Sequence, residues 1–207
     1  MARGFRRHRG RFVAKLDPDE RVLVVGLLEH TRQLLLAPPA APEPDEFDLL
    51  MLDAGMEDPD RFGAGPRLGG PDDAPEREPD DPAVRRLLPA GHHDDPHAAA
   101  EFRRLTGRGL RERKAHRLEL AAKALRAAAH DSVSLEPDAA EDLLVGLTDV
   151  RLVLGERLEL HTDADAAQLH HRLEGIGPHD TSLPLLVSYE FLTWLQESLA
   201  AAMLQRP

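Results

Sequence analysis

The chain of 207 residues carries 37 acids against 26 Lys and Arg, a formal net charge of −11, and is 42% hydrophobic but only 4% aromatic. That is enough apolar material for one sizeable domain whose core is built from Leu, Val and Ala, a composition that suits packed helices better than a β-sandwich. The absence of cysteine excludes disulfides, thiol nucleophiles, thiolate metal sites and any thiol-based redox switch.

The first sixteen residues hold Arg3, Arg6, Arg7, Arg9, Arg11 and Lys15 and no acid. No apolar segment follows them as in a signal peptide, and no run reaches the roughly 20 apolar residues of a membrane span, so a cytoplasmic protein without a membrane partner is expected. The alternation in RFVAKL, residues 11 to 16, predicts a strand, and DPDE then sets up a helix start. There Asp17 is the N-cap, Pro18 takes the first helical position and Glu20 completes a capping box. The helix runs to the prolines at 38 and 39; being apolar on most faces, it is expected to be buried, and it leaves a homodimer open.

Residues 37 to 81 carry fourteen acids and three arginines among many Pro and Gly. Such a stretch buries too little apolar surface to offset the entropy of ordering it and reads as a largely disordered linker. Within it FDLLMLDAGM, residues 47 to 56, is an apolar island suited to docking on a partner or on the parent domain. The opposite charge of residues 1 to 16 invites intramolecular pairing with this block.

A short helix is expected around residues 84 to 88. HHDDPH, residues 92 to 97, contains metal-capable side chains at a spacing that is not diagnostic of a metal site. Asp94 or Asp95 before Pro96 reads instead as a helix cap, and no cofactor is implied. A helix from Pro96 to about Leu105, a ThrGlyArgGly break and a long helix from about Arg108 to His130 suggest a helix-turn-helix. On the second helix Arg113, Lys114 and Arg117 fall within about 100° of one another, a phosphate-facing patch if DNA is bound and a solvated face otherwise.

Residues 132 to 155, SVSLEPDAAEDLLVGLTDVRLVLG, echo residues 15 to 36: a short β-prone stretch, Glu-Pro-Asp for Asp-Pro-Asp, then a helix with Val-Gly-Leu inside. The echo predicts two strand–helix units whose strands share a small sheet. Residues 157 to 181 read as a connecting loop in which His170 and His171 are loop residues. A final helix over residues 182 to 205 holds the single Tyr and the single Trp. Tyr189, Leu192, Leu195, Leu199 and Trp194 form its apolar face. Tyr189, Trp194 and Leu195 are the candidate anchors for a protein partner. No GxSxG, Walker, HExxH or Rossmann pattern is present, so an enzyme is not expected and no catalytic residue or metal ligand is assigned.

Three stretches, taken together with FRRHRGRFVAKL, carry a family resemblance. They are DPAVRRLLP with DDPHAAAEFRRLT and LRERK (residues 81 to 114), LTDVRLVLGERL (147 to 158) and SYEFLTWLQESL (188 to 199). They resemble an actinobacterial domain-of-unknown-function family often encoded beside the ClpS protease adaptor and near cysteine-biosynthesis genes. Members of that family are described as AosR-type transcriptional regulators that respond to oxidative stress. The resemblance implies a binding protein that acts with a sigma factor or the transcription machinery, with DNA contact allowed. Proximity to ClpS suggests the alternative, an accessory of Clp-dependent proteolysis that does not bind DNA. Where the family senses redox through cysteines, that mechanism cannot carry over to this chain.

The reading as a whole is a mainly α protein with a small β-hairpin or short sheet near the N-terminus and a disordered acidic insertion. Residues 1 to 36 form strand and buried helix, 37 to 81 the linker, and 82 to 207 a helical bundle completing the same domain. Arg6, Arg7, Arg9, Arg113, Lys114 and Arg117 are the candidate contacts to nucleic acid or an acidic partner.

Overall fold

The computed structural model describes residues 2–37, 79–89, 91, 95–162, 164–165 and 182–205. The apolar island at 47 to 56, most of the acidic linker, His92, His93, Asp94 and most of the 157 to 181 connection, His170 and His171 included, lie outside the described residues.

The chain opens with β1 (Arg3–His8) and β2 (Arg11–Lys15), an antiparallel pair in which His8 faces Arg11 across a two-residue loop. Arg9 and Gly10 in that loop both have positive φ, 50° and 79°, the turn whose twist matches that of the flanking strands. β3 (Ser132–Leu135) pairs antiparallel with β2, giving the order β1-β2-β3. Phe5, Phe12, Ala14, Val133 and Leu135 are all buried, and the alternating residues of β2 and β3 turn outward. The register between β1 and β2 shifts by one residue between Arg3 and Arg6, a bulge at Gly4–Phe5.

Helix α1 (Pro18–Leu36) begins with the expected capping box: Glu20 N–H donates to Asp17 Oδ1 at 2.9 Å and Asp17 N–H to Glu20 Oε2 at 2.8 Å. Glu20 Oε1 also accepts from Ala2 N–H at 3.1 Å, tying the start of β1 to the start of α1. The helix is not buried on most faces as its composition suggested. Val24, Leu28, Thr31 and Leu35 are buried, but Val22 is 70% exposed and Leu36 and Gly26 also face outward. Only one side of α1 has helices to pack on, so its remaining apolar residues stay at the surface.

Helix α2 (Pro82–Leu87) is capped by Asp81, whose Oδ1 accepts from Ala83 N–H at 2.8 Å. Helix α3 (Pro96–Arg126) is continuous over 31 residues. The break expected at ThrGlyArgGly is absent, and with it the helix-turn-helix. Two interior glycines cost about 1 kcal/mol each against Ala, which a helix packed along α1 and α4 offsets; Gly107 is itself buried. The helix ends at Arg126, earlier than the expected His130, where positive φ at His130 (53°) turns the chain into β3. Its start behaves as expected: Asp95 Oδ1 accepts from His97 N–H at 2.9 Å, with Pro96 in the first helical position.

Helix α4 (Pro137–Arg157) is the hub and packs on α1, α2, α3 and α5 (Leu183–Leu204). It buries Leu143, Leu147, Val150, Val153 and Leu154, each contributing about 1.5–3 kcal/mol. The strand–helix echo is real in space. β2 and β3 are neighbours in the sheet, and Gly146 of α4 meets Leu28 of α1, 3.1 Å from where a β-carbon would stand. Residues from both sides of the acidic linker thus share one core. No described helix is long and apolar enough to cross a membrane.

Candidate nucleic-acid interface

The sequence offers two cationic surfaces, and the fold treats them differently. On α3 the basic residues serve mainly to join helices. Arg111 donates to Leu35 O at 2.7 Å, supplying the C-terminus of α1 with the cation its own last turn lacks. Lys114, expected to face phosphate, turns inward and pairs with Asp149, whose side chain is 3% exposed. Burial pushes the Asp149 carboxyl above its ordinary range, against the hydrogen bond and charge of Lys114 and the charge of Arg117. Its Oδ2 is buried and meets no hydrogen-bond donor among the described residues. Arg117 stands 3.9 Å from Asp142, whose carboxyl is also raised by burial, and Arg108 pairs with Glu112 at 3.2 Å. Of the expected trio, Arg113 and Arg117 are exposed and Lys114 is withdrawn. Because Lys114 is committed to Asp149, the trio is not one phosphate-facing patch.

The hairpin is different. Its outward register brings Arg3 opposite Lys15 and His8 opposite Arg11, with Arg6 opposite Val13 and Arg9 at the turn. Ser132 and Ser134 of β3 continue the face beside Lys15 and Val13. Like charges directly opposite on a sheet are destabilising, so the Arg3–Lys15 pair weakens the fold rather than supporting it. One acid reaches in: Arg11 pairs with Glu136 and also donates to Ser134 Oγ at 2.8 Å and Ser134 O at 3.1 Å. Arg6 and Arg9 remain exposed. Arg7 departs from its expected role; it is half-buried and donates to Gln205 O at 2.6 Å, closing β1 onto the end of α5.

The expected docking anchors on α5 also separate. Leu195 is fully buried in the core and is unavailable to a partner. Tyr189 is engaged by Arg151, which lies 5.2 Å from its ring centroid and donates to its hydroxyl at 3.3 Å. Arg151 donates as well to Gln196 Oε1 at 2.7 Å, and Gln196 to Thr148 Oγ1 at 2.7 Å, a network that fixes α5 on α4. Trp194 alone of the three is exposed, at 39%, stacked on Phe191. No group of three or more His, Asp or Glu side chains arranged for a metal ion occurs among the described residues.

A family model described as a domain of unknown function, DUF2017, matches residues 2–203. The chain belongs to the DUF2017 family. No curated protein and no solved structure matches it. The DUF2017 match spans hairpin, linker and bundle alike, so the basic hairpin is part of the family's domain and not an appendage to it.

Sequence reasoning put Arg6, Arg7 and Arg9 in a basic N-terminal strand region but did not single out Arg3, His8 and Lys15 as members of one face. Their odd and even positions already alternate in the sequence, yet the bulge at Gly4–Phe5, which brings Arg3 opposite Lys15, leaves no such trace.

Proposed function

We propose that this DUF2017 protein is a transcription-associated regulator of the AosR type that meets duplex DNA through the outer face and turn of its N-terminal hairpin. The observation that carries the reading is the cationic face of the hairpin, Arg3 opposite Lys15 with Arg6 and Arg9 beside them, held together despite like-charge repulsion. A two-stranded ribbon fits a major groove about 12 Å wide, and phosphate contacts from arginine supply the sequence-independent part of affinity. The resemblance of the 81 to 114, 147 to 158 and 188 to 199 stretches to actinobacterial regulators encoded beside ClpS supports the transcriptional assignment.

Fluorescence anisotropy against a labelled random duplex, at about 50 and 200 mM salt, tests it. Binding is expected to weaken with salt. Arg6→Ala with Arg9→Ala should reduce the slope of log affinity against log salt by about 1.8, two phosphates' worth. Arg113→Ala with Arg117→Ala should leave most of the binding in place. Absence of binding at the lower salt, or loss confined to the Arg113/Arg117 pair, overturns the hairpin reading. The second reading, an accessory of Clp-dependent proteolysis, is favoured by one observation, the exposed Trp194, and predicts partner binding that ignores salt.

A further inference from the structure

One cation that joins two helices has no carboxylate beside it. Lys114, Arg126, Arg86 and Arg157 each cross to an acid elsewhere in the fold, Asp149, Glu29, Glu156 and Asp81 in turn. Arg151 of α4 is half-buried, and among the described residues it meets neutral groups only: Gln196 Oε1, the Tyr189 hydroxyl and the Tyr189 ring. Its Nε is buried without an acceptor. The surroundings add donors rather than acceptors. Gln196 donates one N–H to Thr148 Oγ1 at 2.7 Å, and Thr148 donates its own proton to Leu144 O at 3.0 Å. The Tyr189 O–H, the second Gln196 N–H and the remaining guanidinium N–H groups therefore converge with no acceptor among the described residues.

We propose that Thr148, Arg151, Tyr189 and Gln196 form a binding site for the oxyanion of a small ligand, a phosphate or a carboxylate. A charge taken partly out of water is costly unless it is paired, and neutral acceptors offset only part of that cost. The guanidinium fork matches the oxygens of a carboxylate or phosphate, and the surplus donors beside it complete an oxyanion's shell. Because a single guanidinium supplies all the positive charge, one oxyanion group is what the cluster holds. Arg151 is fixed before any ligand arrives, by the Tyr189 ring 5.2 Å away and by Gln196 at 2.7 Å, so little side-chain freedom is lost on binding. Thr148 at the edge of the cluster is exposed, so solvent reaches it. All four side chains come from the 147 to 158 and 188 to 199 stretches, to which the hairpin reading gives no task. Ser198, which meets β1, lies nine residues beyond Tyr189, about two and a half turns of α5, so cluster and hairpin are on opposite sides of that helix. An oxyanion site here is independent of DNA binding by the hairpin.

The probes are inorganic phosphate and acetate, each titrated to about 20 mM into the full chain at constant ionic strength, with thermal unfolding as the readout. A saturable rise in Tm, with a Kd of about 1 mM or tighter, is expected for at least one of them. A rise with phosphate alone assigns a phosphorylated ligand, a rise with acetate alone a carboxylic acid, and a rise with both an oxyanion of either kind. Arg151→Gln, which removes the charge, should weaken binding by at least about tenfold, whereas Arg6→Ala with Arg9→Ala should leave it unchanged. Should Arg151→Gln fail to fold, Tyr189→Phe carries the test: the ring stays, and loss of one hydrogen bond to a charged group should lower affinity about tenfold. No rise with either anion overturns the proposal. So does a rise that is linear in salt, as for an excluded anion, or one that survives Arg151→Gln or is unchanged by Tyr189→Phe.

Discussion

Lys114 and Asp149 form the most consequential residue pair in the molecule, because the carboxylate is buried and has one cation beside it. Removing that cation leaves an uncompensated buried charge, so Lys114→Met should destabilise the fold by roughly 3 kcal/mol in urea unfolding at neutral pH. Asp149→Asn removes the charge and keeps an acceptor for Lys114, and should cost less than about half as much. The pH dependence follows from the direction of the shift. A carboxyl raised from 3.8 in the folded state favours folding while protonated and loses that contribution as pH rises through its raised value. The stability of the parent protein relative to Asp149→Asn should therefore fall as pH increases above about 4. Asp81 works the other way: burial pulls it up, but Arg157 and Ala83 N–H hold it below its ordinary value, so its contribution is lost on acidification. None of this is legible in the sequence, where Lys114 is one of seven cations in seventeen residues. Which cation turns inward depends on where α4 places Asp149.

At the scale of elements, the helix starts at Asp17 and Asp95 were the most readable features, since these residues cap through local hydrogen bonds that need no tertiary partner, whereas the cap at Asp81 was not read. The middle of α3 was not readable, because its continuity through Gly107 and Gly109 is decided by packing against distant helices. That continuity can be checked by substitution. At Gly109 a β-carbon would meet only the flexible end of Arg113, 3.2 Å away, and at Gly26 it would meet nothing. Each change to Ala should raise stability by about 0.5–1 kcal/mol in thermal unfolding; a turn at Gly109 would make that substitution destabilising. Gly4→Ala should do the reverse, destabilising by about 1–3 kcal/mol because its β-carbon collides with Ser198. The candidate site shows the same division. Alternation in RFVAKL exposed one strand of the basic face, while the bulge that completes it depends on α5, far away in the chain.

For the molecule as a whole, a net charge of −11 opposes the approach of DNA to a hairpin that is locally cationic. Residues 37 to 81, with fourteen acids and three arginines, account for the whole of that excess, and the rest of the chain sums to zero. Deleting residues 40 to 80 should raise DNA affinity at about 50 mM salt and change it little at 200 mM, where the Debye length is shorter than 10 Å. Equal affinities at the lower salt would show that the acidic block has no electrostatic hold on the hairpin. The contact between β1 and α5 has a further consequence for how the protein is made. Phe5 and Ser198, joined by a hydrogen bond, are 193 residues apart, and a ribosome adding about 5–20 residues per second separates them by roughly 10–40 s. Through that interval the hairpin has neither the helix that seats its bulge nor, until residues 132 to 135 appear, its third strand. The edge of the hairpin is therefore covered late, and the last seam of the fold closes only after most of its core has already been synthesised.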